Sequence, residues 1–560
     1  MTVNDSSGAT AKSPAVDEQV LPRVSNHRVF LFFPFTVGRS GRRHQSLGEF
    51  QRRLGEAPLS GLAGSRWLPS WIRDNAASID GRMWLERCRK VSVDLHPHVR
   101  RLAGGDAVAE PAITRCVCFE LAPEGVNLLT GKMGSRDRLG LRFRLGRTAA
   151  QRLGVAEPRD AGEDGLLASI LVHSVTVQVW QSGIGFLVME LSYQCKQVKD
   201  GAALILEMNH ALCRVYSPGS AEAGQAQGGT TWRKTKSATE YEEQPGPTLD
   251  DLALELLAVP CPDGVQGAGS AAVAEGALVR PDWRRDHRLF AYSFVSFDAP
   301  PPAEARDRFL LRLSHRYTLD YAVSLPPTGA MYAPFDNVTH AAGVEGGAVV
   351  VDRSRAVRFL EDFLETAVRD AYLPLALVSL HELRYLLRMS QDSVAHAPEG
   401  SGFARQVRNL AELGREMACF KLYYRFSQAS HISHHNEAHL LWRRAFQLDR
   451  VLEEATADVE QAHRVLSERR WRIYGTLGTF FVAYLSLTHI VDLLLDTVLN
   501  REDALASAQV QALTGLITVQ QFDAVRHAFS VQQQIGYVLA LVAAAGVAAL
   551  VFKMAPSSRL

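Results

Sequence analysis

Residues 438–491 constrain this chain more than any other stretch, because one unbroken helical pattern runs there from a water-facing sequence into one that water does not solvate. Leu441, Ala445, Leu448, Leu452, Ala455, Val459, Ala462 and Leu466 recur at alternating steps of four and three, the period of about 3.5 residues that marks a coiled-coil seam. Glu453, Glu454, Asp458, Glu460, Arg464, Glu468 and Arg469 fill the positions between them, so the apolar stripe is narrow. No Pro or Gly interrupts residues 431–474, and residues 473–491 then supply an apolar run close to the roughly 20 residues a helix needs to cross a bilayer. A thin stripe on a charged helix requires partner helices. The pattern predicts a coiled-coil stalk over residues 430–472 that feeds a first transmembrane helix over 473–491.

A second span is expected at residues 535–552, where Gly536, Ala540, Ala543, Ala544, Ala545, Gly546, Ala548 and Ala549 are small enough for close helix approach in lipid. Arg469, Arg470 and Arg472 flank the first span, and Lys553 and Arg559 follow the second. The connection over 492–534 holds only Arg501 and Arg526 against Asp492, Asp496, Glu502, Asp503 and Asp523. Positive-inside bias therefore predicts a multi-pass protein of the inner (plasma) membrane, with both termini and the 553–560 tail cytoplasmic and the 492–534 loop outside. The net charge of +1 gives no bias toward polyanions, so nucleic acid is not expected as a partner. The seven cysteines are scattered and odd in number, which fits a reducing compartment for the N-terminal part.

At 560 residues the chain exceeds what one core can organise. Residues 1–26 are polar, carry no signal-peptide pattern and are expected to be disordered. An α+β cytosolic domain is expected over 27–215. Its strands are read at 27–37, 90–95, 113–121 and 141–145, with a hairpin at 171–180 and 183–193 around Gln181, Ser182 and Gly183. Residues 216–280 read as a Gly/Ser-rich linker and loop, and 281–352 as a second strand-containing part of the same domain. Over 353–429 a helical hairpin is expected: a helix capped by Asp352, kinked at Pro374, then a turn at 396–402 and a second helix at 403–426. The fold class is thus an α+β cytosolic domain, a long stalk and two C-terminal transmembrane helices.

This order over residues 354–560, with its juxtamembrane Leu466, Ser467, Glu468, Arg469, Arg470, Trp471, Arg472 and Ile473, resembles the CorA-like divalent-cation channels, including the ZntB zinc transporters. The resemblance implies a homopentamer whose first span lines the pore, conducting magnesium or zinc. The family's Gly-Met-Asn after span one is absent. Thr488, His489, Ile490, Val491 and Asp492 stand there instead, and the inter-span loop is longer than the family's.

Along span one, Thr476, Thr479, Ala483 and Ser486 fall at helical spacing, with His489, Asp492 and Asp496 beyond. Repeated around an axis, these residues would give a hydroxyl-lined conduit ending in carboxylate rings, chemistry that replaces hydration and attracts cations. His431, His435 and His439, each four residues apart, share one face if the helix already runs there, and paired imidazoles can hold zinc. Residues 125–132 resemble a phosphate loop, but the glycines are one residue too far apart and Met133 stands where magnesium needs a hydroxyl. No catalytic constellation is present, so an enzyme is not expected. The sequence predicts a homo-oligomeric, CorA-like channel or transporter for divalent cations gated by its cytosolic domain. The alternative is a membrane-permeabilising effector on the same scaffold, opened by a cytosolic ligand or partner.

Overall fold

From Val29 on, β1 (Val24–Val37) is buried on both faces, and the composition of that stretch gives the reason. Val29, Leu31, Phe33, Phe35 and Val37 point one way, Phe30 and Phe32 the other, and neither face carries a polar set that could meet water. Burying each such side chain contributes about 1.5–3 kcal/mol, so layers on both sides of the strand are favoured. A computed structural model of the chain shows those layers. It describes residues 21–38, 43–64, 70–105, 116–130, 140–155, 166–214, 230–235, 241–245, 248–258, 278–286, 288–324, 329–354, 357–395, 403–498, 501–515 and 518–554.

Among the described residues β1 is joined in one sheet by β2 (Trp84–Glu86), β3 (Cys116–Leu121), β4 (Gly140–Leu145), β5 (Leu166–Trp180), β6 (Ile184–Gln194) and β7 (Thr230–Thr235). β8 (Tyr241–Pro245), β9 (Val279–Pro281), β10 (Phe290–Phe297), β11 (Met331–Phe335), β12 (Val338–Ala342) and β13 (Gly346–Asp352) complete it. The order is β11-β12-β13-β10-β1-β6-β5-β4-β7-β8, with β3 sharing an edge of β5, β2 on β3, and β9 on β1. β10 and β13 run parallel, joined by a crossover through a helix, while β1 pairs antiparallel with both β10 and β6. The expected β5–β6 hairpin is present. Gly183, at φ 79°, closes its turn by donating to the Trp180 carbonyl at 2.8 Å.

The helices of ten residues or more are α1 (Arg43–Glu56), α2 (Gly201–Leu212), α3 (Leu249–Ala258), α4 (Ala303–His315), α5 (Leu373–Ala395), α6 (Phe403–Tyr423), α7 (Ser433–Ala445), α8 (Leu448–Val498), α9 (Arg501–Leu513) and α10 (Val519–Met554). Leu47 and Phe50 of α1, Ile205 and Met208 of α2, Leu252 of α3 and Phe309 and Leu313 of α4 share one core with the odd residues of β1. On the other face Phe32 meets Phe290 edge-on at 5.3 Å, and Trp442 and Phe446 close over Phe290 and Tyr292 at 5.7–5.8 Å. The N-terminal part is therefore an α/β sheet domain. Gly347 of β13 lies directly under Trp442, where a Cβ would overlap the indole Cη2. Gly347→Val should lower stability by about 3 kcal/mol, read as the urea midpoint followed by tryptophan fluorescence. An unchanged midpoint would mean that Trp442 is not packed there.

Several expectations are corrected by main-chain bonding. Residues 90–95 form no strand. Ser92 N donates to the Asp370 carbonyl at 2.7 Å, and the Arg89 side chain to that of Arg369. Those carbonyls precede Pro374, which has no N–H to offer the carbonyl four residues back, and a π-helix over Leu364–Tyr372 leads into α5. Asp352 does accept from Ser354 N, but the long helix begins later than that cap implies. Within the expected linker, β7 and β8 pair as an antiparallel hairpin. β1 begins at Val24, inside the segment expected to be disordered. Residues 1–20, the turn at 396–402 and the Gly-rich loop at 259–277 lie outside the described residues.

The stalk pattern is also interrupted. α7 ends at Ala445, Gln447 takes φ 50°, and α8 starts afresh at Leu448. Trp442 and Phe446 are both drawn onto the sheet, and the chain turns after them without Gly or Pro. Leu441, Leu448, Leu452, Ala455 and Val459 are all buried within one chain, so this part of the seam needs no second copy to cover it.

Two compact units divide the chain: Met1–Met389 with Arg415–Ala455, and Ser390–Gly414 with Thr456–Leu560. The first holds the sheet and its covering helices. In the second, Ser390 Oγ donates to Asp458 at 2.6 Å, and the expected 492–534 loop is mostly helical as the end of α8, α9 and the start of α10. Trp471–Leu494 (24 residues) and Val519–Ala549 (31 residues) are long and apolar enough to cross a membrane, by length and composition.

Candidate functional site

The residues predicted to line a pore lie on α8 with unequal surroundings. Thr476 Oγ1 donates to the Arg472 carbonyl and Thr479 Oγ1 to that of Gly475, each at 2.8 Å, so both hydroxyls are turned onto their own helix. Ala483 is half-buried, while Ser486, His489 and Asp496 are exposed. Asp492 is engaged. Its Oδ1 accepts from Tyr537 OH at 2.8 Å and Gln533 Nε2 at 3.1 Å, and a Cβ on Gly536 would meet Val491 Cγ1 at 2.5 Å. This carboxylate ties the end of one apolar helix to the start of the other. Ala540, Ala544 and Ala548 form a buried stripe at steps of four on α10.

The three predicted zinc ligands are not brought together, because α7 starts at Ser433 and leaves His431 outside it. His431 is exposed, with its ring edge-on to His96 at 4.1 Å. His435 and His439 are 5% and 1% exposed; Nδ1 of each lies 3.2 Å from a hydroxyl, Ser430 and Ser379 respectively. Burial, then the neighbouring His434, lowers His435 to about 4. Burial, then Arg443, lowers His439 to about 3. Both are neutral core imidazoles. Among the described residues no group of three or more His, Cys, Asp or Glu side chains converges as a metal would require.

A different constellation is assembled on the sheet unit, around a cavity of about 190 Å³. His210 reaches it from α2; Arg214 and Arg288 stand opposite each other in an isolated antiparallel bridge; Glu345 comes from the turn before β13. His315, Arg316 and Tyr317 come from the end of α4, and Tyr321 follows. The α4 terminus fixes this group through two reversed main-chain bonds, Arg316 N to the Leu313 carbonyl and Tyr317 N to that of Arg312. That motif needs a left-handed residue where glycine is usual. Arg316 fills it at φ 56°, against a steric preference of about 1–2 kcal/mol. Its carbonyl accepts from His210 Nδ1 at 2.8 Å if that nitrogen carries the proton, and its guanidinium donates to the Leu289 carbonyl at 2.8 Å. His210 is held below its usual range by burial first, and then by the guanidiniums of Arg214, Arg152 and Arg316, despite the bond to the Arg316 carbonyl.

Sequence reasoning missed this group because its members span residues 210–345 and share no spacing. The one local signal is the run His315, Arg316, Tyr317 at the end of an amphipathic helix. Comparison of the chain with protein-family models, characterised proteins and solved structures finds no match in any of the three.

Proposed function

We propose that this protein is a homo-oligomeric membrane channel that passes cations through a bundle of its two C-terminal apolar helices and is gated by its sheet-containing unit. One observation carries the reading. Phe481, Val482 and Leu485 on α8 and Val538, Leu539 and Val542 on α10 are 58–66% exposed in a single chain. Apolar surface of that extent requires lipid or further copies of the same helices. The likeness to CorA-like channels supports a pentamer lined by α8, with Ser486, His489 and Asp496 on surface that a neighbouring copy can complete. Charge bias at the helix ends supports cytoplasmic termini and placement in the inner (plasma) membrane.

A second reading, a membrane-permeabilising effector opened by a cytosolic trigger, is favoured by Asp492. Its carboxylate is held by Tyr537 and Gln533 of the same chain, and the Gly-Met-Asn associated with magnesium is absent. A pore without a free carboxylate ring at that point discriminates weakly among cations. Flux of magnesium, zinc and potassium from vesicles holding the full-length protein tests both readings. Ser486→Leu should cut any flux about tenfold by narrowing the conduit. Strong preference for a divalent ion supports the first reading and indiscriminate flux the second. Wild-type flux in Ser486→Leu removes the α8-lined pore from both.

A further inference from the structure

We propose that the cavity at the end of α4 binds a small phosphate-bearing molecule with a planar ring, the chemistry of a mononucleotide. About 190 Å³ holds a phosphate and little more than a sugar and ring edge, the size of a mononucleotide's polar end. Among the described residues, three guanidiniums, those of Arg214, Arg288 and Arg316, line the cavity together with one carboxylate, that of Glu345. Glu345 Oε1 accepts from Arg288 Nη1 at 2.7 Å and lies 3.9 Å from Arg316 Nη2. The carboxylate thus already occupies the place between two guanidiniums that an incoming phosphate would take.

Arg316 is built in rather than draped over the surface. Its side chain is 8% exposed, anchored on the Leu289 carbonyl, and its Nε has no hydrogen-bond partner. Beside it the rings of His315 and Tyr317 lie 5.4 Å apart and those of Tyr317 and Tyr321 5.3 Å apart, each pair tilted by about 30°. Tyr321 is 48% exposed, so a planar ring can settle on its free side while the phosphate reaches the arginines. Such a ligand would displace Glu345 from Arg288, joining the turn before β13 to occupancy of the cavity.

Calorimetric titration of the full-length protein in detergent with inorganic phosphate, adenosine and adenosine monophosphate tests this. The mononucleotide should bind about tenfold tighter than phosphate through ring stacking, and adenosine should not bind measurably. Arg288, 65% exposed, is replaceable without unfolding, and Arg288→Gln should weaken binding about tenfold. Glu345→Gln should tighten it about fivefold by removing the competing carboxylate, a gain that a merely structural ion-pair cluster would not give. A mononucleotide bound no tighter than phosphate, or an affinity unmoved by both substitutions, would overturn the proposal. Binding is read here without flux, so an empty cavity and a silent pore are separate results.

Discussion

Moving the full-length protein from about pH 7.5 to about pH 5 will lower the stability of its sheet unit by roughly 4 kcal/mol or more. The cause is a layer of neutral imidazoles beneath α7. His340 and His439 are lowered to about 3 and His435 to about 4, in each case chiefly by burial. An imidazole depressed in the folded state takes its proton first in the unfolded chain, so stability is lost as pH falls below about 6.5. At about pH 5 each of the three contributes a loss of about 2 kcal/mol. His381, stacked on Trp180 at 4.5 Å and depressed by burial and then Arg388, acts in the same direction. Glu382 acts in the opposite one. Burial lifts it to about 7 although Arg443 Nη1 bonds both its oxygens at 2.9 and 3.1 Å, so its contribution is complete below the unfolded value and fades as pH rises toward 7. It offsets about 2 kcal/mol of the acid loss. Against a total of about 5–15 kcal/mol for a domain, a net loss of about 4 kcal/mol is a large share of the unit's stability. Urea titrations at the two pH values measure it directly. His340→Phe should recover about 2 kcal/mol at the lower pH, since that ring packs on Tyr372 at 4.3 Å and its Nε2 has no partner. Equal midpoints at both pH values would show that these imidazoles are not held neutral.

What the sequence disclosed, and what it hid, follows from the range of the forces involved. The β5–β6 hairpin was legible because alternation and a Gly-containing turn are local, and the apolar helices because length and composition alone decide the match to a bilayer. The break at Gln447 was not legible. No residue there disfavours helix, and the chain turns where two aromatic side chains more than 140 residues from their partners, Phe290 and Tyr292, settle on the sheet. The β7–β8 hairpin hid in a polar composition that reads as linker. The histidines of α7 carried the right spacing for a metal only on the premise that the helix began before His431. The cavity's arginines are joined only by tertiary packing, so no window of sequence contains them.

Phe481→Arg with Leu485→Arg should oppose insertion of α8 and weaken membrane association of the full-length protein, leaving α10 as its remaining apolar helix. The two side chains are 58% and 64% exposed, lie one helical turn apart on the same face of α8, and fall near the middle of Trp471–Leu494. At that depth an arginine costs about 2.5–3.5 kcal/mol, so the pair opposes insertion by about 6 kcal/mol, roughly four orders of magnitude in partitioning. In water the same changes replace exposed apolar surface by charge and should raise solubility. The two surroundings therefore predict opposite signs for one substitution, which separates a lipid-facing helix from one whose exposed face simply awaits another protein. Flotation with anionic lipid vesicles provides the readout: wild type rises with the lipid, and a smaller share of the double variant does, while its tryptophan fluorescence, dominated by the sheet unit, keeps the folded signature. Wild type that fails to float, or a variant that floats equally well, would remove the bilayer from the account of α8.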